Sequence, residues 1–222
     1  MRQALVLSAC LFAATTALAR DAEHAFQTAV PRGQVQRVLI DIPFGSFTIR
    51  NGSSDRLAAS GVASRDYDGS REREWAQRVV NDTSVEIVVN GAEAVVRRKF
   101  GKNAQSWRAK KFTGLDLRLE IPRGLDVRFD TGAGEVDVEG VFGDISVELG
   151  AGEIDVRVPR SRVRELNASC RIGEVRTNLG KEIITREGIL PGRTHFFNAD
   201  GKSHVNVHVT VGEVDVTLTR QE

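Results

Sequence analysis

One short phrase recurs along the second half of the chain and constrains the fold more than any other feature. The phrase is a glycine, an acidic residue, Val or Ile, any residue, and Val. The first three copies begin at Gly134, Gly143 and Gly152, a degraded copy begins at Gly173, and a further complete copy begins at Gly212. Regular glycine spacing of this kind is typical of repeat architectures, in which each unit stacks on its neighbours.

Within each copy, apolar and polar residues alternate strictly. In the first copy, Val136 and Val138 point one way while Glu135 and Asp137 point the other. This alternation is the pattern of a β-strand with one buried face. A glycine at each corner permits the positive φ that a tight turn needs. We therefore predict an all-β fold, a β-solenoid or β-roll of short strands, in which two strands and two corners make one coil.

The spacing of the copies also predicts which residues lie side by side in neighbouring coils. The expected pairs are Val136 with Ile154, Val138 with Val156, Glu135 with Glu153, and Asp137 with Asp155. Like charges directly across a ladder destabilise each other, so a cation should lie nearby. Arg157 is close in sequence, and Arg176 has the corresponding place in the next copy, where it could lie beside Asp155.

The glycine repeat does not predict a metal site. In calcium-binding nonapeptide β-rolls an Asp stands two residues after the last glycine, but the chain has Val136, Ile145 and Ile154 at these positions. His204 and His208 share a strand face but are too far apart to chelate one ion together. We also find no phosphate loop, nucleophile elbow or paired cysteines. The sequence predicts neither a cofactor nor a metal.

Residues 1–19 have the features of a signal peptide, with Arg2 before an apolar run and Ala17-Leu18-Ala19 as the cleavage site. An alternative is a lipoprotein signal that ends at Cys10. Cleavage after Ala19 would leave a chain with balanced charge and only one cysteine, Cys170. We therefore expect an exported protein, periplasmic or secreted, that has no intramolecular disulfide and no affinity for nucleic acid.

The remainder of the chain fits one domain. We expect residues 20–33 to be a loose leader and residues 34–222 to form a single repeat-containing β domain. One short helix is predicted near residues 70–80, and Asn90-Gly91 predicts a hairpin. A Gly- and Pro-containing insertion at residues 180–200 is a second candidate contact surface, because long connections in repeat folds often carry specificity.

Between residues 94 and 115 the chain has no acidic residue but many basic ones, with aromatic residues interleaved. Such a patch could hold an anionic polymer or lipid headgroups by charge and aromatic contact. The alternative is a solvated hairpin end whose aromatic side chains tuck under the sheet. The candidate binding surface consists of Arg97, Arg98, Lys99, Trp107, Arg108, Lys110 and Lys111.

Three segments resemble the bacterial putative-adhesin family of unknown function. They are residues 115–122, a strand that ends in Pro122, residues 125–138, which contain the phrase Thr131-Gly-Ala-Gly-Glu-Val136, and residues 150–156, which begin with Gly150-Ala-Gly-Glu-Ile154. The resemblance implies solenoid-like stacking, an envelope or exported location, and a role in adhesion or envelope sensing. It supplies no catalytic residues. This chain departs from the family in having no transmembrane anchor, which favours a periplasmic or secreted protein.

We therefore predict an exported, non-enzymatic, adhesin-like binding protein. Its expected partner is an envelope polysaccharide, an anionic surface or another protein. Two alternatives remain open: an enzyme that acts on polysaccharide through scattered acidic residues, and a structural scaffold whose exposed end strand pairs with another chain.

Overall fold

A computed structural model describes residues 21–179 and 192–220 of the chain. The predicted signal peptide, the Cys10 alternative and residues 180–191 of the predicted insertion lie outside the described residues. The described elements are β1 (Asp21–Pro31), β2 (Arg37–Asp41), β3 (Phe44–Asn51), β4 (Arg56–Asp66), α1 (Ser70–Asn81), β5 (Thr83–Asn90), β6 (Glu93–Phe100), a 3₁₀ turn (Lys102–Ala104), α2 (Trp107–Phe112), β7 (Gly114–Ile121), β8 (Asp126–Glu139), β9 (Ile145–Pro159), β10 (Val163–Thr177), β11 (Gly192–Phe197) and β12 (Ser203–Thr219).

Four long strands, each bent at a glycine, form the centre of the molecule. They lie parallel in the order β8, β9, β12, β10, and their glycines are in register: Gly134 beside Gly152, Gly152 beside Gly212, and Gly212 beside Gly173. All four glycines have φ between 133° and 142°. We call the part of each strand before its glycine the first arm, the part after it the second arm, and the two arms together a rung.

The bend changes which residues of a strand face the core. In β8 the buried residues of the first arm are Val127, Phe129 and Thr131, whereas those of the second arm are Val136 and Val138. The phase of the alternation therefore shifts by one residue across the glycine corner. As a result, both arms turn their apolar side chains inward, and the side chains at the corner remain exposed.

Two further rungs are each built from two separate strands. In the rung next to β8, the first arm is β2 and the second arm is β3. Strand β2 pairs with the first arm of β8, and β3 pairs with its second arm. On the far side, β6 pairs with β2 and β7 pairs with β3, so that residues 101–113 connect the two arms of this outer rung at its corner. Antiparallel strands extend the arms: β5 pairs with β6, β4 and β1 follow β7, and β11 pairs with the first arm of β10.

The hydrophobic core lies between the two arms. The ring of Phe47 on a second arm meets the ring of Phe129 on a first arm edge to face, with 4.6 Å between centroids. Both side chains belong to one cluster that runs through all the rungs. Helix α1 packs on β1 and β4 and buries Ala76, Val79 and Val80. Burial at this scale is the main stabilising contribution to such a fold.

The all-β fold that the sequence predicts is confirmed, and the predicted neighbours are in register. Val136 lies beside Ile154, Val138 beside Val156, Glu135 beside Glu153, and Asp137 beside Asp155. The predicted helix forms, and so does the predicted hairpin, although Asn90 pairs with Glu93 and the two turn residues are Gly91 and Ala92. After the third copy, the sequence predicts two separate strands at residues 163–166 and 174–179, but the structure has the single bent strand β10 there.

Two expectations differ from the structure. The order of the copies in the chain predicts that the last coil, residues 205–218, closes the stack. These residues belong to β12, which lies between β9 and β10, so the order of the rungs does not follow the chain. The stretch expected to be a loose leader forms β1, which pairs along its whole length with β4. Alternate residues of β1 turn inward, with Ala22 fully buried and Phe26 packed against the core.

Candidate functional site

Helix α2 lies at the corner of the outer rung and is fixed to the protein by its inner side. The helix begins after Ser106, whose Oγ accepts a hydrogen bond from the backbone N–H of Ala109 at 3.2 Å. Ala109 is fully buried against Val79 and Ala104. At the other end, the hydroxyl of Thr113 donates to the carbonyl oxygen of Ala109 at 2.7 Å. The helix therefore has a defined orientation although it has only six residues.

Arg65 connects α2 to helix α1. Its guanidinium donates to the carbonyl oxygen of Arg108 at 3.1 Å and lies over the ring of Trp75, 4.3 Å from the centroid. The side chain is buried, and this desolvation, together with the nearby charge of Arg108, lowers the pKa of Arg65. Trp75, which is partly buried against the same cluster as Ala109, is thus part of the support of the helix.

The outer side of α2 carries two aromatic rings next to each other. Trp107 is 67% exposed and Phe112 is 53% exposed, and their ring centroids are 6.1 Å apart. The ammonium group of Lys111 lies 5.5 Å from the centroid of Phe112 and 5.9 Å from that of Trp107. Lys110 lies over Phe100 in the same way. Large aromatic side chains exposed together commonly mark a contact surface.

The basic residues around these rings are not neutralised. We use the name corner patch for the exposed residues of this surface: Lys102, Trp107, Arg108, Lys110, Lys111 and Phe112. Among the residues that the structure describes, no carboxylate forms an ion pair with the four basic members. The corner patch therefore combines four positive charges with two exposed rings.

Two of the predicted binding residues lie elsewhere, on the outer face of the first arm. Arg97 Nε is 2.7 Å from a carboxylate oxygen of Glu86 on the neighbouring strand, and Lys99 Nζ is 3.5 Å from the other oxygen. The hydrogen bond from Arg97 is the main cause that lowers the pKa of Glu86. Glu86 thus offsets part of the positive charge of Arg97 and Lys99.

Arg98 has a structural role behind the corner. Its guanidinium donates to the carbonyl oxygens of Thr113 and Phe44, both at 3.1 Å, and lies over the ring of Phe44, 4.5 Å from the centroid. Desolvation by burial lowers the pKa of Arg98 to about 10. Because its guanidinium is directed to these two carbonyl oxygens and is buried, with no hydrogen-bond partner for Nε among the described residues, Arg98 does not belong to the exposed patch.

The structure thus brings together Trp107, Arg108, Lys110 and Lys111 from the predicted surface and separates the other three residues from them. It adds Lys102 and Phe112, which the sequence placed in the same basic stretch. Helix α2 itself was not predicted from the sequence. The available signal was Ser106, a good N-cap, directly before a run without Gly or Pro.

The outer face of the second arms is acidic. Glutamates form one column across the rungs and aspartates form the next: Glu135, Glu153, Glu213 and Glu174, then Asp137, Asp155 and Asp215. Arg157 contacts both Asp137 and Asp155, as predicted, and Arg50 contacts Asp137 at 3.4 Å. The predicted position of Arg176 is wrong, because β12 intervenes: Arg176 lies beside Asp215 and pairs with Glu174 and Glu213.

Asp155 has the least favourable position in the acidic face. Burial raises its pKa, the charges of Asp215 and Asp137 add to this effect, and Arg157 opposes it. One oxygen of the Asp155 carboxylate is buried with no hydrogen-bond donor. In the part of the chain that the structure describes, no three His, Cys, Asp or Glu side chains come together in an arrangement that could hold a metal ion.

Each histidine on the outer face of the first arms has a different partner. His204 Nδ1 is 3.1 Å from an oxygen of Asp144, and His208 Nδ1 is 2.9 Å from the hydroxyl of Ser169. On β11, His195 Nε2 is 3.4 Å from Glu165. Hydrogen bonding to Asn167 and to His195 lowers the pKa of Glu165. These contacts make separate polar pairs across neighbouring strands rather than one site.

Comparisons with known proteins show similarity in fold only. No protein family model matches the chain, and no curated protein matches its sequence. The fold is similar to that of a "putative cell adhesion protein" from Clostridium sporogenes, with a TM-score of 0.52 and 12% sequence identity over 89% of this chain and 100% of that chain. Two structures named "putative adhesin" also match. The structure from Bacteroides fragilis has a TM-score of 0.27 and 5% sequence identity, and the match covers 88% of this chain and 97% of that chain. The structure from Parabacteroides merdae has a TM-score of 0.31 and 6% sequence identity, and the match covers 86% of this chain and 95% of that chain.

The described residues contain no helix that is both long enough and apolar enough to cross a membrane.

Proposed function

We propose that the protein is an exported, non-enzymatic binding protein of adhesin-like type that contacts an anionic polymer or surface through the corner patch. The observation that carries this proposal is the corner patch itself, in which four exposed basic residues that form no ion pair among the described residues lie in the same short segment as two exposed rings. The similarity in fold to a protein named as a cell adhesion protein supports the adhesin-like part of the proposal. The features of residues 1–19 support export.

We interpret the stack of bent rungs as a short β-solenoid in a single domain, and we regard it as the scaffold that holds the patch. The support for this interpretation is the in-register pairing of the repeats and the continuous core between the arms. A rigid scaffold favours binding because the groups in contact with the partner lose little conformational freedom. Buried Ala109 and the contacts of Arg65 fix the helix in this way.

The enzyme alternative has less support. Polysaccharide hydrolysis needs two carboxyl groups on either side of a bound sugar, one of them kept protonated. Among the described residues, carboxylates lie close together at two places. On the outer face of the second arms, Arg50 and Arg157 bind Asp137, and Arg157 also binds Asp155. At the exposed ends of β1 and β4, a hydrogen bond between Asp21 and Asp66 raises the pKa of Asp21, but this pair is open to solvent and lies in no cleft of the described part of the chain that would bind a sugar. Groups held by neighbouring arginines are less available to a substrate.

The experiment compares two variants that lose the same charge. The protein, residues 20–222, is tested against envelope glycans, dextran sulfate and anionic lipid vesicles at low and moderate salt. Lys110→Ser with Lys111→Ser removes two charges from the corner patch, and Arg97→Ser with Lys99→Ser removes two from the first-arm face. We expect salt-sensitive binding that is weakened about 10-fold or more by the first change, because local charge governs binding to polyanions. Equal losses in both variants, or no binding by any form, would refute the proposal.

A further inference from the structure

We propose that the corner patch is an interfacial anchor for anionic phospholipid bilayers: Trp107 and Phe112 enter the headgroup region, while Lys102, Arg108, Lys110 and Lys111 contact the lipid phosphates. This inference rests on the proposed function, because it names the ligand class of the same surface. Aromatic residues are enriched at membrane interfaces, and basic residues around an apolar surface attach it to anionic lipid.

The position of α2 suits contact with an extended surface. In the inner rungs a glycine turns the chain at the corner, but in the outer rung residues 101–113 form an insertion at the corresponding place. The inner side of this insertion is held by Ala109 and Thr113, and its outer side carries both exposed rings. A segment that is held on its inner side and exposes two aromatic rings on its outer side can contact an interface without unfolding any strand.

The geometry of the rings favours lipid over a sugar chain. Sugars stack on the flat faces of aromatic rings, but the rings of Trp107 and Phe112 are inclined to each other by 55° and do not form a flat platform. The ammonium group of Lys111 lies within 6 Å of both centroids and limits access to the ring faces. Insertion into a bilayer needs exposed ring surface and neighbouring positive charge, and the corner patch has both.

The charge of the patch is complementary to an anionic bilayer. A basic residue close to such a surface strengthens binding by about fivefold. The four basic residues of the corner patch, which have no carboxylate partner among the described residues, therefore account for a preference of roughly 100- to 1,000-fold over a neutral bilayer. Added salt should reduce this preference, because the charges are exposed to solvent.

The first test is co-sedimentation of the protein with phosphatidylcholine vesicles and with vesicles that contain one quarter phosphatidylglycerol. We expect binding to the anionic vesicles only. Lys110→Ser with Lys111→Ser should weaken binding about 25-fold, as two lost charges predict, and Trp107→Ala with Phe112→Ala should weaken it at least 10-fold. The matched control, Arg97→Ser with Lys99→Ser, should change binding less than threefold. Equal losses in the two charge variants would overturn the proposal.

The second test asks whether Trp107 enters the bilayer. The chain has two tryptophans, so Trp75→Phe leaves Trp107 as the only indole. We expect its emission to shift to shorter wavelength on addition of anionic vesicles and to be quenched by brominated lipid. If the Trp75→Phe variant fails to fold, the same quenching is measured on the wild-type protein, with Trp107→Phe as the control. Vesicle binding without a shift or quenching would overturn insertion.

A third test distinguishes this inference from the proposed function. Dextran sulfate offers the same negative charge without a bilayer. Patch-dependent binding to dextran sulfate or glycans with none to vesicles would overturn the lipid anchor and leave the proposed function standing. Absence of binding to every probe would overturn both.

Discussion

The carbonyl oxygen of Gly134 lies 1.8 Å from the position that a Cβ atom at Gly152 would occupy. The same close approach recurs from Gly212 to the carbonyl of Gly152 and from Gly173 to the carbonyl of Gly212. Glycine is therefore required at these corners for two reasons, the positive φ and the absence of space for any side chain. The regular spacing of these glycines in the sequence therefore reflects a line of close backbone contacts that runs from strand to strand along the bend.

Gly152→Ala should destabilise the protein by about 3 kcal/mol or more, because it combines backbone strain with a clash against a neighbouring rung. The measurement is urea unfolding followed by circular dichroism. Gly124→Ala is the matched control: Gly124 also has positive φ, at 79°, but nothing lies within 4 Å of its Cβ position. The control should cost only about 1–2 kcal/mol. Equal costs for the two changes would contradict the close-approach argument.

Arg98→Lys should destabilise the fold by about 2 kcal/mol, although the charge is kept. The planar guanidinium donates to the carbonyl oxygens of Thr113 and Phe44 and lies over the Phe44 ring, and a single ammonium group cannot reproduce all three contacts. Thermal unfolding measures the effect. Arg97→Lys, in an exposed ion pair, should change stability by less than about 0.5 kcal/mol. A neutral result for Arg98→Lys would mean that the two carbonyl contacts contribute little.

Asp155→Asn should stabilise the protein at neutral pH by a modest amount, of the order of 0.5 kcal/mol. The pKa of Asp155 in the folded protein is raised, mainly by burial, so the folded state holds this proton more tightly than the unfolded state does. Ionisation of Asp155 therefore destabilises the fold. This unfavourable contribution is present at neutral pH and disappears as the pH falls through the raised pKa.

The advantage of Asp155→Asn over the wild-type protein should accordingly vanish in acid, which a series of urea unfolding curves at different pH values would measure. Glu148→Gln, at an exposed position on the first arm, is the control and should leave stability at neutral pH nearly unchanged. A loss of stability in Asp155→Asn at neutral pH would indicate that the ion pair with Arg157 outweighs the cost of burial.

Asn51→Asp should cost about 2 kcal/mol. The side-chain amide of Asn51 accepts a hydrogen bond from the backbone N–H of Val141 at 2.6 Å and donates to the carbonyl oxygen of the same residue at 3.2 Å. A carboxylate would place an acceptor against that carbonyl. Asn90→Asp, at the exposed end of β5, is the control and should be nearly neutral, because exposed substitutions away from specific contacts change stability little. Chemical denaturation measures the free energy of unfolding of both variants, and equal values for the two would contradict the role of the Asn51 amide.

The register of the rungs was predictable from sequence, but their order was not. The repeat spacing predicts that Val136 lies beside Ile154, because a shift of the strand pairing by one residue would turn every buried side chain outward. Each copy carries nearly the same pattern, however, so local patterning does not distinguish β12 from β10 as the neighbour of β9. That choice depends on contacts between residues far apart in the chain.

The candidate site was predictable as a region but not as a surface. The absence of acidic residues between 94 and 115 identifies the stretch, and it includes both Arg98 and Lys111. Charge alone does not reveal that Arg98 turns toward Phe44 while Lys111 faces solvent. Helix α2 is too short for its apolar residues to establish a helical period, since a single residue, Ala109, is its buried contact.

Lysine footprinting tests most directly, on the unmodified protein, whether the corner patch is the contact surface. Acetylation rates of individual lysines are measured by mass spectrometry with and without saturating dextran sulfate, and again with phosphatidylglycerol vesicles. We predict that Lys110 and Lys111 become protected in at least one of these complexes, while Lys99 and Lys202 react at unchanged rates. Protection of Lys99 or Lys202, with Lys110 and Lys111 still reactive, would contradict it.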